Sequence, residues 1–364
     1  MSLIDDPAKL AAYCLRPGDS IKQAVAAMNG VRPQCGLVLD EQRRLVGTLT
    51  DGDVRRGILA GVQLDEPVER IMFRTPTTAP RDLPLEQARV LMRARQVKFL
   101  PLLAPDRTLA GLAVLEAFAG PHAEENLVVL MAGGLGQRLR PLTDDCPKPM
   151  LRIGSKPILE IILESFAAQG FHRFAVSVNY KSEMVESYFG NGDKWDVAIE
   201  YIHEPRRMGT AGALSLLSRR PEAPFLVMNG DVLTTVRFRQ LLDLHQERHA
   251  VATMCVRNYD VEVPFGVVEM EDGRLTRMVE KPRTQHFINA GIYVLSPEML
   301  DHIPADRPSD MPDVLNAMAR SGRTVAVFPI QEYWLDIGRH TDLERARNEV
   351  DRLFDDNPPD CPAL

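Results

Sequence analysis

A short apolar run at 127–132 ends in Gly133-Gly134-Leu135-Gly136, and Arg138, Arg140 and Lys148 follow closely. Lacking Cβ atoms, the glycines let successive backbone N–H groups converge on one concavity, and the three cations place fixed positive charge beside it. Such a loop suits a polyanion, above all a chain of phosphates. Read alone it is equally a tight connection, since the dinucleotide fingerprint needs another glycine spacing and a later acidic residue. A second apolar run, 225–228, leads directly into Asn229-Gly230-Asp231. Ligands of parallel α/β sheets sit at the carboxyl ends of strands, which makes Gly133 and Asp231 candidates for one crevice. Chemistry on a phosphate chain there calls for Mg2+, which prefers carboxylate oxygens with water completing its shell, and Asp231 is the first such ligand. A lone Asp after a strand is also a common turn residue or helix cap.

The elements that must position these groups alternate strand and helix from residue 127 onward, the pattern of an α/β, mostly parallel Rossmann-like sheet covered on both faces. The spacing predicts a helix over 157–169 that begins at a proline and stops at Gly170. Strands are expected over 173–178 and 197–202, a helical stretch that closes over 185–190, a helix over 211–217, and a capping helix over 341–354.

The string GGxGxRLxPLT followed by PKPM, within 130–150, resembles the signature of the sugar-1-phosphate nucleotidyltransferases. The resemblance implies transfer of a nucleoside monophosphate from an NTP to a sugar 1-phosphate, with release of pyrophosphate. It implies that Gly134 and Gly136 cradle the triphosphate and that Arg138 and Lys148 stabilise its charge. Asp231, together with Asp336 of a W-x-D-x-G segment at 334–338, would hold Mg2+. On the sugar side, Gly266 in PFGVV would back the hexose ring, Glu280 of the EKP motif would accept from sugar hydroxyls, Lys281 would grip the sugar phosphate, and Asn289 would face the sugar. The base would be read by Met131, Ala132 and Gly133 and by Gly209, Thr210 and Gly212, with Asn179 and Tyr180 nearby. One position departs: Gln137 stands where the family usually has Thr or Ser. An amide can still donate to phosphate, but it is longer than a hydroxyl. The incoming phosphate is already an anion at neutral pH, so the reaction needs positioning and charge neutralisation rather than a general base.

The first third of the chain is a duplication. Shifted by 64 positions, Ala24 matches Ala88, Met28 matches Met92, Leu45 matches Leu109 and Gly47 matches Gly111. Each half reads as an Asp-bearing turn, an amphipathic helix, a strand, a polar turn and a second strand. GTLTDGDVRRGIL at 47–59 resembles the end of a CBS domain, the cystathionine β-synthase-type module that works in pairs. The expectation is a tandem pair over 1–122 (14–62 and 67–118) with a regulatory role, a nucleotidyltransferase domain over 123–354 and a disordered tail over 355–364. In CBS modules a Thr and an Asp after the second strand hold a nucleotide effector's phosphate and ribose. Thr50 and Asp53 match, whereas the second copy has Val114 and Ala117. The same residues also suit a plain helix N-terminus.

Composition narrows the class. The chain has 364 residues, 45% of them hydrophobic and 26% charged, as in ordinary globular proteins. A net charge of -7 argues against nucleic acid, and no apolar run reaches the ~18 residues of a membrane span. Five scattered cysteines without a CxxC pair fit thiols in a cytoplasm. Paired CBS modules behind such a catalytic domain resemble the guanylyltransferases that make GDP-activated sugars for surface glycans. GTP is the favoured donor, with dTTP, UTP or CTP behind it, and a homo-oligomer is expected. A non-catalytic nucleotide-sugar sensor is the rival, disfavoured because Lys148, Asp231, Lys281 and Asp336 are all present.

Overall fold

The computed structural model describes residues 2–31, 33–95, 97–115, 123–305 and 307–353, with side chains through 349. The expected tail at 355–364 and the position of Ala117 lie outside them. The chain divides into two compact units, Met1–Gly120 and Pro121–Leu364.

In the first unit the duplication is visible down to its irregularities. Cys14–Leu15 runs parallel to Cys35–Leu39, which pairs antiparallel with Leu45–Thr50; Ala79–Pro80, Phe99–Leu103 and Leu109–Val114 repeat that arrangement. The register slips between Val38 and Leu39 in one copy and between Leu102 and Leu103 in the other. The helix Ile21–Asn29 buries Ile21, Ala24 and Met28, and Leu85–Ala94 buries Ala88 and Met92, the same stripe. The copies meet through reciprocal bonds, Leu45 N–H to Arg107 O and Leu109 N–H to Arg43 O. One apolar cluster, including Leu37, Leu39, Leu109 and Leu112, spans both. Neither copy could bury its sheet alone, so shared burial is what the duplication provides.

Thr50 is the N-cap of the helix Asp51–Leu59 in a reciprocal capping box. The Asp53 carboxylate accepts from Thr50 N at 2.8 Å, from Thr50 Oγ1 at 2.6 Å and from Arg56 Nη2 at 2.5 Å. The two side chains assigned to a nucleotide are thus engaged with each other and with Arg56, the arrangement of a helix N-terminus.

The second unit is built on a seven-stranded sheet ordered Ala198–His203, Arg173–Val178, Val128–Met131, Phe225–Asn229, Arg283–Leu295, Ala252–Glu262, Val325–Pro329. The first four strands are mutually parallel; Arg283–Leu295 is antiparallel to both neighbours. Apolar layers cover both faces, one centred on Phe166, Phe171, Phe174 and Phe238, the other on Phe225, Tyr293 and Leu315. Phe166 stacks on Phe238 at 3.6 Å between centroids.

Boundaries differ from the pattern reading by about a residue at the strand Ala198–His203, at the end of the helix Ser182–Phe189 and at the helix His340–Leu353, and by more in two places. The helix is Ile158–Ala167, with Pro157 as its extended N-cap, because Pro157 still pairs with Arg152 in a short ladder. The predicted helix at 211–217 is one α-turn, Gly209–Gly212, followed by a 3-10 segment, Ala213–Leu216. Beyond the sheet, Ala252–Glu262 and Arg283–Leu295 continue as a two-stranded arm to the pair Glu262 and Arg283, and between them lies the hairpin of Val267–Glu271 and Arg274–Val279.

His245 is 2% exposed, between Thr253 Oγ1 and Ser296 Oγ, each at 3.0 Å. Burial pushes its pKa down to about 4. The unfolded chain therefore takes up a proton below pH ~6.5 that the folded chain refuses, and stability falls as pH drops from there towards 4, by about 3 kcal/mol. Urea unfolding across this range should show the loss, and His245→Gln should flatten it.

Candidate active site

The glycine loop follows the strand Val128–Met131 and is held from several sides. Gly136 has φ of +61°, and a Cβ there would lie 2.8 Å from Thr143 Cγ2 and 3.0 Å from Lys148 Cβ. Thr143 Oγ1 donates to Gly136 O at 3.0 Å. Tyr180 Oη and Lys181 Nζ both donate to Asp144 O at 2.8 Å, and His340 Nε2 donates to Arg140 O at 3.0 Å. Nothing lies within 4 Å of a Cβ placed on Gly134, so that glycine faces open space. Gly136→Ala combines a left-handed backbone with a steric clash, at a cost of about 1–3 kcal/mol in the loop. It should lower the melting temperature and weaken nucleotide binding together, as a thermal melt and a nucleotide titration would register.

Lys148 belongs to the short 3-10 turn Lys148–Met150, is 8% exposed, and forms an ion pair with Asp231. Asp231 follows the strand Phe225–Asn229 through Gly230, whose N–H donates to Met131 O at 2.9 Å. A Cβ on Gly230 would sit 2.8 Å from that carbonyl, so the residue between strand and aspartate must be small. Asp336 arrives from the far end of the sequence: Trp334–Asp336 pairs antiparallel with Val232–Thr234, and Ile337 N–H donates to Asp231 O at 3.0 Å. Trp334 Nε1 donates to Ala290 O at 2.9 Å, tying this strand to Arg283–Leu295. Arg138 lies against Gly338, where a Cβ would be 3.3 Å from its Nη1.

The electrostatics agree with this grouping. Burial and the neighbouring Asp231 charge push the Asp336 carboxyl above the usual range, while Lys148 and Arg138 pull it down. Oδ1 of Asp231 and Oδ1 of Asp336 are buried without a hydrogen-bond partner among the described residues. Buried acceptors left open are costly unless something fills them, and two neighbouring carboxylates whose charges act on each other fit a divalent cation. Among the described residues no group of three His, Cys, Asp or Glu forms a complete cage. Two carboxylates with substrate phosphates completing the shell is the usual pattern for Mg2+.

On the base side, Glu204 is a residue that motif reading did not single out. It accepts from Ser177 Oγ at 2.5 Å and from Met208 N at 2.8 Å, its backbone O accepts from Asn179 Nδ2 at 2.8 Å, and a Cβ on Gly133 would collide with its carboxylate. Thr210 and Gly212 are engaged structurally. Thr210 N–H donates to Asp310 Oδ1 at 2.9 Å, Thr210 Oγ1 accepts from Met311 N, and Gly212 N–H donates to Ser309 O. Gly209 has φ of +79° with Ser309 O 2.5 Å from its Cβ position, so glycine is required there.

The sugar-side residues lie on the arm. A Cβ on Gly266 would be 3.0 Å from Glu280 Oε2, and Lys281 N–H donates to Phe265 O at 3.3 Å. Glu280, Lys281 and Gln137 are exposed. Asn289 donates from Nδ2 to Tyr293 Oη at 2.6 Å and accepts from Gly291 N at 3.0 Å. The loop, the two aspartates and Lys148 are drawn together; Gly266 and Glu280 adjoin each other, while Asn289 is held by Tyr293 and Gly291.

The nucleotidyl transferase family model matches residues 127–352, and the chain belongs to that family. A CBS domain model matches residues 10–60. Among curated relatives, the mannose-1-phosphate guanylyltransferase catalytic subunit beta of Drosophila pseudoobscura pseudoobscura is 36% identical over 223 residues, 59% of this chain and 60% of the relative. The mannose-1-phosphate guanyltransferase of Yarrowia lipolytica is 33% identical over 223 residues, 59% of this chain and 61% of the relative. The chain thus spans about three fifths of the length of these relatives. A crystal structure of HddC from Yersinia pseudotuberculosis complexed with GMP-PN aligns at a TM-score of 0.50 and 25% identity, over 62% of this chain and 99% of that one. No disulfide joins Cys14, Cys35, Cys146 and Cys255, and among the described residues no helix is long and apolar enough to cross a membrane.

Proposed function

We propose that the chain is a sugar-1-phosphate guanylyltransferase: it moves a guanylyl group from GTP to a sugar 1-phosphate and releases pyrophosphate, supplying activated sugar for glycan synthesis. The observation that carries this reading is the pair of open, buried carboxylate oxygens of Asp231 and Asp336 beside Lys148 and the glycine loop. The guanylyltransferase relatives and the GMP-PN complex of HddC support guanine as the base.

Asp231 and Asp336 would hold Mg2+, which when bound neutralises the triphosphate and polarises its α-phosphate. The Gly133–Gly136 loop offers backbone N–H groups to the phosphates, with Gln137 donating from its amide. Arg138 and Lys148 stabilise the charge that develops on the departing pyrophosphate. Met131, Ala132, Gly133, Asn179 and Gly209 border the base. Glu280, Asn289 and Gly266 orient the sugar, and Lys281 holds its phosphate in line with the α-phosphorus, so the rate comes from alignment of two bound anions. Residues 1–122 are assigned to a regulatory tandem CBS pair, 123–354 to catalysis.

Pyrophosphate release by the purified chain with Mg2+, measured across GTP, dTTP, UTP and CTP against a panel of sugar 1-phosphates including mannose, heptose and amino sugars, tests the reading. Release with GTP and one sugar is expected. Release only with another NTP would reassign the base, and silence with a folded protein that still binds nucleotide would turn the assignment to a sensor.

A further inference from the structure

Arg257, on the strand Ala252–Glu262, is a half-buried guanidinium that forms no ion pair among the described residues. Burial and the like charge of Arg345 pull its pKa below the ordinary guanidinium value, and Glu332 acts in the other direction. Holding a cation partly out of water without a carboxylate is costly, and an apolar residue of similar length would avoid that cost. What the charge does hold is one short stretch of chain. Arg257 Nη1 donates to Glu332 O at 2.8 Å, and the guanidinium carbon lies 6.0 Å from the centroid of the Trp334 ring, at the reach of a cation–π contact. A planar guanidinium can donate in its own plane to a carbonyl and present its face to an indole, which a lysine ammonium cannot do.

That stretch leads to Asp336. The chain leaves the edge strand Val325–Pro329 with Ile330 N–H donating to Val256 O at 2.8 Å, meets Arg257 at Glu332 and enters Trp334–Asp336. Trp334–Asp336 and Val232–Thr234 form a two-stranded sheet of their own, and so short a ladder needs anchors from outside. Ile337 N–H, on Asp231 O, is the anchor at one end. Trp334 is the anchor at the other, its Nε1 on Ala290 O and its ring under Arg257. Trp334 and Asp336 stand two positions apart on the strand and so project from the same face.

We propose that Arg257 is a positioning residue for metal binding: by fixing Glu332 and the Trp334 ring, it sets the place of the Asp336 carboxylate beside Asp231. This role rests on the proposed function, in which the two aspartates hold the divalent cation.

Mn2+ alone, titrated into the full chain and followed by the electron paramagnetic resonance of the free ion, reads the site without substrate or turnover. Asp336→Asn shows what loss of that ligand looks like. Arg257→Met, which keeps an unbranched stem and removes the charge, is expected to weaken Mn2+ binding roughly 10-fold, the scale of loss when a group that orients a metal ligand is removed. Its melt without metal should stay within about 3 °C of wild type, because the lost carbonyl bond and the relieved burial of charge act in opposite directions. Arg257→Lys should recover part of the affinity. In the turnover assay the Mg2+ concentration for half-maximal rate should rise by a similar factor in Arg257→Met, with kcat largely restored at saturating Mg2+, a rescue that added metal does not give to a misfolded site. Unchanged Mn2+ affinity in Arg257→Met, or a loss matched by a melt lowered well beyond that margin, overturns the role. Mn2+ binding that is absent in wild type, or that survives Asp336→Asn, removes the metal site of the proposed function and the role of Arg257 with it. Binding lost in Asp336→Asn but kept in Arg257→Met counts against Arg257 alone.

Discussion

Asp231→Asn is expected to abolish nucleotidyl transfer while leaving the second unit folded. An asparagine of the same shape keeps one acceptor oxygen but loses the negative charge that would hold the cation. Metal-borne charge stabilisation is worth several kcal/mol, and about 4 kcal/mol corresponds to roughly a 10³-fold loss in rate. The folded state should tolerate the change for a local reason. Asp231 raises the Asp336 carboxyl and Lys148 lowers it, so removing the Asp231 charge relieves one repulsion while Lys148 keeps an acidic neighbour. Loss of the Lys148 ion pair and relief of the carboxylate repulsion act in opposite directions. The measurement is a pair: steady-state pyrophosphate release, and thermal melts with and without Mg2+ and GTP. Wild-type protein should gain several degrees from the ligands and the variant little; near-normal turnover by the variant would remove Asp231 from the metal site.

Much of this arrangement is written in order and spacing. The duplication at 64 residues foretells the paired sheets of the first unit because apolar positions recur at equal offsets, and the register slips recur with them. Gly-Gly-Leu-Gly and Gly-Asp stand out because few residues fit there: Gly136 has a left-handed backbone, and Gly230 lies too close to the Met131 carbonyl for a side chain. Contacts between distant segments left weaker traces. Lys148 and Asp231 are 83 positions apart, and only the fold makes them partners. In sequence Thr50 and Asp53 are ambiguous because one pattern serves both a phosphate site and a helix cap; their side chains form the capping box. In sequence Pro157 suits a first helical residue because proline favours that position, but a ladder with Arg152 holds it outside the helix.

Glu204 is the clearest case of a residue that only three-dimensional structure exposes, for in the string HEPRRMG it reads as one more surface charge. Its carboxylate joins three segments proposed to surround the base: Ser177 on the strand next to the glycine loop, Met208 before Gly209, and Gly133 itself, against which it packs. Glu204→Ala would leave the Met208 N–H and the Ser177 hydroxyl without their acceptor and open space beneath Gly133, at a cost of about 1–3 kcal/mol per unsatisfied group. Because these groups shape the base pocket and not the reacting phosphates, the expected loss is in nucleotide binding: a KM for GTP raised roughly 10- to 100-fold with kcat changed much less. Glu204→Gln discriminates between the ways this could arise. Its amide oxygen can accept from Met208 N and its nitrogen can donate to the Ser177 oxygen, so a positioning role predicts substantial rescue relative to alanine. If glutamine is as damaging as alanine, the negative charge itself is required, and Glu204 would have to contact the nucleotide directly.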